Sequence, residues 1–322
     1  MSAGFNSRNR SGMNANVRSG FNAHGGDSSY ANLWCFDFSG NLLWAADVDG
    51  QPTLASISLA PEETGACYVL GGGKLYRINA AHAIAWSKAT PGSNGAICSD
   101  STGVWASNNA WVKYSPTGSQ LWSAAASLGG FAAQFNGGMT ALVSLDGLSV
   151  SIYSAAGGLL STTAIPSGTP GKLFGQGSVV YVPGWYWIYS LAAAGALTQF
   201  IPVFEPSGGS LERGIDLKVV SANELYIVST MPGNAFFNTS IFRFLHPNWQ
   251  YGTAGWTRVE LGAANVVGAS PQSPCLVGLT RAAGIRQWEW SGIVCNDTAS
   301  DGANVYVVTD RALKTAAHQT YP

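Results

Sequence analysis

Residues 34–44 read Trp-Cys-Phe-Asp-Phe-Ser-Gly-Asn-Leu-Leu-Trp, an aromatic strand, a Ser-Gly turn and a second strand that ends on tryptophan. If the turn residue Gly40 is taken as an anchor, an apolar residue lies four positions before it and a tryptophan four positions after it. The anchors that repeat this frame follow at spacings of 42, 36, 39 and 38 residues, and they are His82, Gly118, Gly157 and Gly195. A period of about forty residues made of short strands is typical of a β-propeller with one blade per repeat.

The two ends of the chain complement each other. The first strands, from Leu33, have no partner strands before them, and the last strands, in residues 294–308, have none after them. Joining the ends gives a composite blade that closes the ring and removes exposed sheet edges. We therefore predict an all-β fold: a seven-bladed β-propeller over residues 31–322, closed by this composite blade, with an extended N-terminal arm over residues 1–30. Six or eight blades are the alternatives.

The repeat has a family resemblance. Its best copies are Phe36–Trp44 and Tyr114–Trp122, and Ile78–Trp86 is a looser one. An alternating strand that ends in Ser/Thr-x-Gly, followed by a strand that ends in tryptophan, resembles the PQQ-like repeat of quinoprotein-type propellers. In that family the final tryptophan docks against the neighbouring blade, so the resemblance implies an inter-blade docking role for Trp44, Trp86 and Trp122.

The chain departs from that family in two respects. The tryptophan after the anchor is replaced by Ser161 and Gln199 in two repeats, and no two cysteines are adjacent. The quinone-binding enzymes of the superfamily typically use vicinal cysteines, acidic calcium ligands and a longer chain. The resemblance therefore implies the fold, and we expect no cofactor.

The composition is poor in charge. Only 10% of residues are charged and 46% are hydrophobic, whereas roughly a quarter of residues are charged in ordinary soluble proteins. Such a surface suggests either that other subunits cover part of it, or that the surface is built from Ser, Asn, Thr and Gly, as in some extracellular or viral proteins. The net charge of −1 does not indicate binding of nucleic acid or of an acidic membrane.

The sequence shows neither a secretion signal nor a membrane-spanning segment. The five cysteines form no CxxC pair, and we interpret them as reduced core residues. The N-terminus has no apolar signal-peptide region, so we expect synthesis in the cytoplasm. Residues 179–197 are almost all apolar, but Pro183-Gly184 divides them into two strand-length halves, so we predict no membrane span.

Residues 1–26 differ from the rest of the chain. They form three eight-residue units rich in Gly, Asn and Ser, each with one large apolar residue after a glycine, and their only charges are arginines. This segment has too little apolar mass to form a core of its own. We predict that it docks on a neighbouring subunit through Phe5, Arg8, Arg10, Met13, Arg18 and Phe21. The alternative is an arm folded back on its own propeller.

Two aromatic clusters are candidates for a surface that binds a partner protein or a ligand such as a glycan, because exposed Trp and Tyr faces bind sugars and proteins. One cluster follows a Pro-Gly turn and the other lies in a long insertion; they are Trp185, Tyr186 and Trp187, and Trp249, Tyr251 and Trp256. Packing between blades is the alternative for both clusters.

No catalytic motif is present in the sequence. The four histidines are widely separated, and neither a P-loop nor a G-x-S-x-G elbow occurs. We therefore predict a protein that is not an enzyme and holds no metal: a structural or interaction propeller in a large assembly. Its Gly/Asn/Ala/Trp-rich character is similar to that of bacteriophage virion proteins of the head or tail. The alternatives are a glycan- or receptor-binding adhesin and a quinoprotein-type enzyme.

Overall fold

The computed structural model describes residues 29–90, 96–107, 111–124, 128–135, 138–144, 147–166, 171–184, 187–202, 213–221, 224–230, 239–244, 249–251 and 255–321. The secondary structure of these residues is β-strand, joined by turns. Among them, no helix is long and apolar enough to cross a membrane. The arm residues Phe5, Arg8, Arg10, Met13, Arg18 and Phe21 lie outside the described residues.

The described strands pair into seven antiparallel sheets, numbered here in chain order. Sheet 1 takes strands from both chain ends in the order β27 (Cys295–Ser300), β28 (Asn304–Leu313), β1 (Tyr30–Asp37), β2 (Leu42–Ala46). Sheet 2 consists of β3 (Ser56–Leu59), β4 (Cys67–Gly71), β5 (Lys74–Ile78) and β6 (Ile84–Ala89). Sheet 3 consists of β7 (Ile97–Asp100), β8 (Gly103–Ser107), β9 (Trp111–Tyr114) and β10 (Gln120–Ala124).

The other four sheets follow the same plan. Sheet 4 consists of β11 (Leu128–Phe135), β12 (Met139–Ser144), β13 (Ser149–Tyr153) and β14 (Leu159–Ala164). Sheet 5 consists of β15 (Phe174–Gln176), β16 (Val179–Pro183), β17 (Trp187–Ala192) and β18 (Leu197–Pro202). Sheet 6 consists of β19 (Arg213–Ser221), β20 (Glu224–Thr230), β21 (Thr239–Phe244) and β22 (Trp249–Tyr251). Sheet 7 consists of β23 (Arg258–Leu261), β24 (Asn265–Ala269), β25 (Leu276–Thr280) and β26 (Arg286–Ser291), and β29 (Ala317–Thr320) adds to its outer edge.

The first strand of each sheet contacts the first strand of the next one. These contacts run from β27 to β3, β7, β11, β15, β19 and β23, and then return to β27. The seven first strands therefore surround a central channel, and the fourth strands form the outside of the molecule. The chain ends meet in sheet 1, where Trp34 lies opposite Val307 and the indole Nε1 of Trp34 donates to Thr309 Oγ1 at 3.0 Å.

The hydrophobic core lies between neighbouring sheets. Alternate residues of a strand face opposite sides, so each sheet contributes to two interfaces. In β1, Leu33 and Cys35 pack toward sheet 2, whereas Trp34 and Phe36 pack toward sheet 7. All five cysteines are buried and unpaired. Strands β1 and β4 are covered by a neighbouring sheet on both faces. Burial is therefore almost continuous along them, and it does not alternate as it would in a strand with one solvent-facing side.

The repeat frame has a backbone explanation. Each anchor residue lies in the turn between a third and a fourth strand and has a left-handed φ, for example +86° at Gly40 and +63° at His82. Three residues later, a β-bulge interrupts the pairing in sheets 1, 2, 3, 4 and 7. A bulge turns the next side chain away from the regular alternation. That side chain is the one at position plus four, which is tryptophan in sheets 1, 2, 3 and 7.

Each of these tryptophans lies on the anchor turn of the following sheet. Trp44 stacks on His82 with ring centroids 4.0 Å apart. A Cβ added at Gly118 would lie 3.1 Å from the ring of Trp86, and one added at Gly157 would lie 2.5 Å from the ring of Trp122. The glycine anchors thus leave space for an indole ring where a side chain would block it, whereas the anchor His82 stacks its own ring on Trp44.

Sheet 7 contains a copy of the frame that the sequence analysis missed. Its anchor is Gly284, with φ +67°, and its tryptophan is Trp288, which packs on Gly40 of sheet 1. The indole Nε1 of Trp288 donates to Phe38 O at 3.1 Å, just as that of Trp86 donates to Pro116 O at 2.8 Å. Both acceptors lie two residues before an anchor.

Ser161, which replaces tryptophan in sheet 4, keeps the polar part of this contact. Its Oγ donates to Ala193 O at 3.2 Å, and Ala193 lies two residues before the anchor Gly195. In sheet 5 the bulge falls two positions later, at Phe200, after Gln199. Sheet 4 therefore keeps the hydrogen bond to the next sheet without the indole, and sheet 5 lacks both the indole and the bulge at its usual position.

The packing of Trp288 on Gly40 is open to a matched test. Gly40 and Gly302 share a φ of +86°, but a Cβ at Gly302 has nothing within 4 Å, whereas one at Gly40 would lie 2.5 Å from Trp288. Gly302→Ala should cost about 1–2 kcal/mol for the left-handed backbone alone. Gly40→Ala should cost that amount and about 1–3 kcal/mol more for overpacking. Denaturant unfolding of both variants measures the difference, and equal losses would contradict the packing role.

Candidate functional site in the central channel

The channel side of the first strands carries an unusual number of charges for so uncharged a chain. On β19, Asp216 and Lys218 occupy alternate positions, and so do Arg258 and Glu260 on β23. Residues two apart on a strand share a face, and here that face is the channel wall. Asp297 on β27 and Lys172, just before β15, complete a group of three basic and three acidic side chains.

Asp297 is the centre of this group. Its Oδ1 accepts from Arg258 Nε at 2.6 Å and from Lys172 Nζ at 3.1 Å. Its Oδ2 accepts from Ser56 Oγ at 3.0 Å and from the backbone N–H of Ile57 at 3.1 Å. Because Lys172 precedes sheet 5 and Asp297 belongs to sheet 1, this ion pair joins sheets that are not neighbours in the ring.

Glu260 is the second acceptor. Lys218 Nζ lies 3.2 Å from its Oε2, which also accepts from Ser300 Oγ at 2.9 Å. Thr298 Oγ1 donates to Oε1 at 2.9 Å. Asp216, one sheet away, accepts from the backbone N–H of Val259 at 2.9 Å through Oδ2. These contacts join β19, β23 and β27.

The electrostatics follow from burial among opposite charges. Burial opposes ionisation of Asp297, but Lys172 and Arg258 outweigh it and hold the pKa of its carboxyl well below the usual range. Burial likewise opposes the charge of Lys218, but Glu260 and Asp216 outweigh it, so the pKa of the ammonium is raised. Burial raises the pKa of Asp216, with the like charge of Glu260 as a smaller cause.

A cavity of about 440 Å³ lies beside this group. Lys172, Lys218 and Glu260 are its charged lining residues. Its polar wall includes the hydroxyls of four residues, Ser58, Ser99, Thr298 and Ser300. Its apolar wall includes Ile57, Leu59, Ile97, Phe174 and Leu261. The cavity is within the range of small-molecule pockets and combines an apolar wall with a few convergent polar groups.

The arrangement holds and positions charge. Each of the six charged side chains has an opposite charge or a backbone donor beside it. Across the described residues, no group of three or more His, Cys, Asp or Glu side chains could hold a metal ion.

The structure places Trp187 and Tyr251 apart from this channel site. Trp187 and Tyr251 are half-buried against the cores between sheets. Trp249 lies in β22, and Trp185 and Tyr186 lie outside the described residues.

The prediction that Trp256 belongs to a partner surface is wrong. Its side chain is 1% exposed and packs between sheets 6 and 7 with Tyr226, Ile241 and Val259. The long insertion that precedes it suggested a surface loop. However, Trp256 lies just before β23, at the point where the chain re-enters the core, and an indole there fills the space between the two sheets.

The channel residues were not predicted from the sequence. The available signal was the alternation of charge along two first strands, Asp-x-Lys at 216–218 and Arg-x-Glu at 258–260. In a chain with 10% charged residues, two such pairs at the same position of consecutive repeats indicate a shared polar wall. Lys172 has no comparable sequence signal, because its partner Asp297 is 125 residues away.

Comparison with known proteins supports the fold. No family model and no curated protein sequence matches the chain. A streptogramin B lyase structure is 12% identical with a TM-score of 0.62, covering 90% of this chain and 98% of that one. A catalytically inactive histidine-to-alanine variant of virginiamycin B lyase from Staphylococcus aureus, with quinupristin, is 14% identical with a TM-score of 0.60, covering 87% and 99%.

A third similar structure, the WD40 β-propeller domain of Doa1, is 9% identical with a TM-score of 0.59 and covers 82% of this chain and 93% of that one. At such identities the likeness shows the fold alone. The all-β propeller class predicted from the sequence is confirmed.

Asp297→Asn tests how strongly the channel group holds the ring together. The variant leaves Lys172 and Arg258 without their carboxylate, and breaking a buried ion pair in this way costs about 3–5 kcal/mol. Asp49→Asn is the matched control, because Asp49 pairs with Lys74 at 3.0 Å on the surface and should contribute only about 0–1 kcal/mol. Unfolding free energies of both variants measure the contrast. A similar loss in both would show that the channel pairs are weak.

The pH dependence of this contribution has a definite sign. The pKa of Asp297 is lower in the folded state than its unfolded value of about 3.9, so its stabilisation is present above about pH 4 and is lost as the pH falls further. The stability difference between wild type and Asp297→Asn should therefore be constant near neutral pH and shrink below about pH 4. Unfolding measured from neutral to acid pH checks this, and a difference that grows on acidification would contradict it.

Proposed function

We propose that this chain is a non-enzymatic interaction propeller that works as a subunit of a large assembly. The observation that carries the proposal is its apolar outer rim, defined as Leu43, Leu121, Leu159 and Leu160 on the fourth strands of sheets 1, 3 and 4. These side chains are between 46% and 59% exposed. Three of them, Leu43, Leu121 and Leu160, are the bulge residues that precede the position of the docking tryptophan. Leucines at one structural position of several sheets form a band that a partner can cover.

The distribution of charge supports the same role. Many of the few charged side chains are used in pairs within the fold: Arg77 with Glu62 and Glu63, for example, and Arg243 and Arg281 with Glu224. Internal pairing leaves still fewer charges to keep the surface hydrated. A surface of this kind is marginally soluble alone and is stabilised by contact with other subunits.

The attachment that we propose is the N-terminal arm. Its apolar residues Phe5, Met13 and Phe21 would enter pockets on a neighbouring subunit, and Arg8, Arg10 and Arg18 would meet acceptor groups there. Such an arm would gain order and buried apolar area only on docking. The chain's composition suggests a bacteriophage virion as the assembly, and we propose the particle as its location. This part of the proposal is based on the sequence.

Two other functions have weaker support. A glycan- or receptor-binding adhesin would use exposed aromatic rings, but Trp256 is buried and Trp187 and Tyr251 are half-buried. A quinoprotein-type enzyme would cluster carboxylates in the channel. The channel does hold Asp216, Glu260 and Asp297, but basic side chains or backbone donors lie against all three. An interaction role requires neither an exposed aromatic groove nor free carboxylates in the channel, so it is compatible with both observations.

The test is the mass of the complex that contains the protein in extracts of its native source. We expect a mass far above the 33.6 kDa of one chain. Deletion of residues 2–26, or the double change Leu121→Lys and Leu160→Lys, should release the free chain while the melting temperature of the propeller stays the same. Sedimentation of extracts and thermal melting of the purified variants provide the two readouts.

Thr198→Lys is the matched control, because Thr198 is exposed and occupies the same position after its anchor in sheet 5. It adds the same charge to a rim site that is already polar, so assembly should persist. Native protein of monomer mass, or a deletion variant that assembles normally, would overturn the proposal.

A further inference from the structure

The cavity beside the channel group has features that the proposed assembly role does not use. Its walls come from the first strands of sheets 1, 2, 3, 6 and 7 and from the start of sheet 5, so it depends on six of the seven sheets. Stability alone would favour filling this space with apolar side chains, as the interfaces between sheets are filled. The fold instead keeps about 440 Å³ open next to two ammonium groups.

The charges that face the cavity are mainly positive. Lys172 and Lys218 line it and remain 22% and 18% exposed. Glu260 also lines it, but its side chain is only 3% exposed and both carboxylate oxygens already accept hydrogen bonds. Asp297 and Asp216 do not line the cavity. A ligand in the cavity would therefore meet ammonium N–H donors before it met an acceptor carboxylate.

The two lysine ammonium groups can donate further hydrogen bonds. An ammonium has three N–H groups, and among the described residues one carboxylate forms an ion pair with each, Asp297 with Lys172 and Glu260 with Lys218. The hydroxyls of Ser58 and Ser99 also line the cavity, but they donate within the fold, Ser99 Oγ to Leu59 O and Ser58 Oγ to Ser99 Oγ. The ammonium groups are therefore the donors for a ligand, and they suit a small anionic group, because a carboxylate or sulfonate accepts several hydrogen bonds at once.

The apolar wall adjoins the ammonium groups. Lys218 Nζ lies 5.6 Å from the centroid of the Phe174 ring, and Phe174 lines the cavity with Ile97 and Leu261. A ligand whose anionic end lies at the lysines would place its other end against this wall. Burial of apolar area then adds to the charge interaction.

From these contacts we propose that the channel cavity binds a small organic anion with an apolar body, such as an aromatic carboxylate. The carboxylate lies between the ammonium groups of Lys172 and Lys218, and the ring lies against Phe174 and Leu261. The proposal concerns a small-molecule site and is independent of the partners of the arm and the rim.

The test uses naphthoate as the probe and naphthamide as its neutral counterpart of the same shape. Isothermal titration calorimetry on the full chain should show naphthoate binding about tenfold or more tightly than naphthamide. Added sodium chloride should weaken the binding of naphthoate more than that of naphthamide, because salt screens charge. Equal dissociation constants for the two compounds, or no measurable binding of either, would overturn the proposal.

Variants locate the site. Lys172→Gln should reduce the preference for naphthoate to near unity, and it should fold because Asp297 keeps Arg258, Ser56 and the Ile57 N–H. Lys172→Arg should keep the preference. Lys88→Gln is the matched control, since Lys88 is exposed on β6 outside the cavity lining.

Ala299→Leu fills the cavity from its lining without altering charge, so it should weaken both compounds together. An effect of Lys88→Gln as large as that of Lys172→Gln, or unchanged binding in Ala299→Leu, would place the probe elsewhere and overturn the proposal. If Lys172→Gln does not fold, Lys218→Gln with Glu260→Gln removes a complete ion pair and tests the same preference.

Discussion

The contact on which the ring depends is a tryptophan of one sheet lying on a left-handed turn of the next. Three local conditions make it possible: an anchor with positive φ, a β-bulge three residues later, and an indole at the next position. Together these three conditions produce a contact between two sheets. The bulge directs the side chain away from one sheet, and the anchor turn of the next sheet receives it, so in sheets 1, 2, 3 and 7 the local backbone of a repeat specifies the contact with its neighbour.

This dependence explains which parts of the fold could be predicted. The anchor and the tryptophan are four residues apart, so the frame of Gly40 and Trp44 can be read from the sequence. Gly284 and Trp288 obey the same rule, but the residues before that anchor, Thr280-Arg-Ala-Ala, lack the Ser/Thr-x-Gly ending, and the repeat was not recognised. Trp256 was misplaced because the sequence gives no measure of where a chain re-enters the core after an insertion. The channel group joins residues far apart in the chain, such as Lys172 and Asp297, and such pairs have no local pattern.

The use of charge is the second theme of the structure. In most proteins charged side chains hydrate the surface, whereas this chain places six of its charged residues in the channel, where they join the first strands of different sheets. An ion pair there restricts which strands can face each other, because an unpaired buried charge is costly. The outside is left with leucines on the fourth strands.

The composite sheet 1 has a consequence for how the protein is made. Strands β1 and β2 precede sheets 2 to 7 in the chain, yet β1 pairs with β28, whose last residue is Leu313. The opening strands must therefore wait until the first strands of the other six sheets have been synthesised before their inner partner exists, and Trp34 and Phe36, which pack toward sheet 7, lack that cover until then. Sheets 2 to 6 can form in turn as they emerge, but sheet 1 is complete only when β28 has been made, and termination before that strand leaves a gap between sheets 7 and 2.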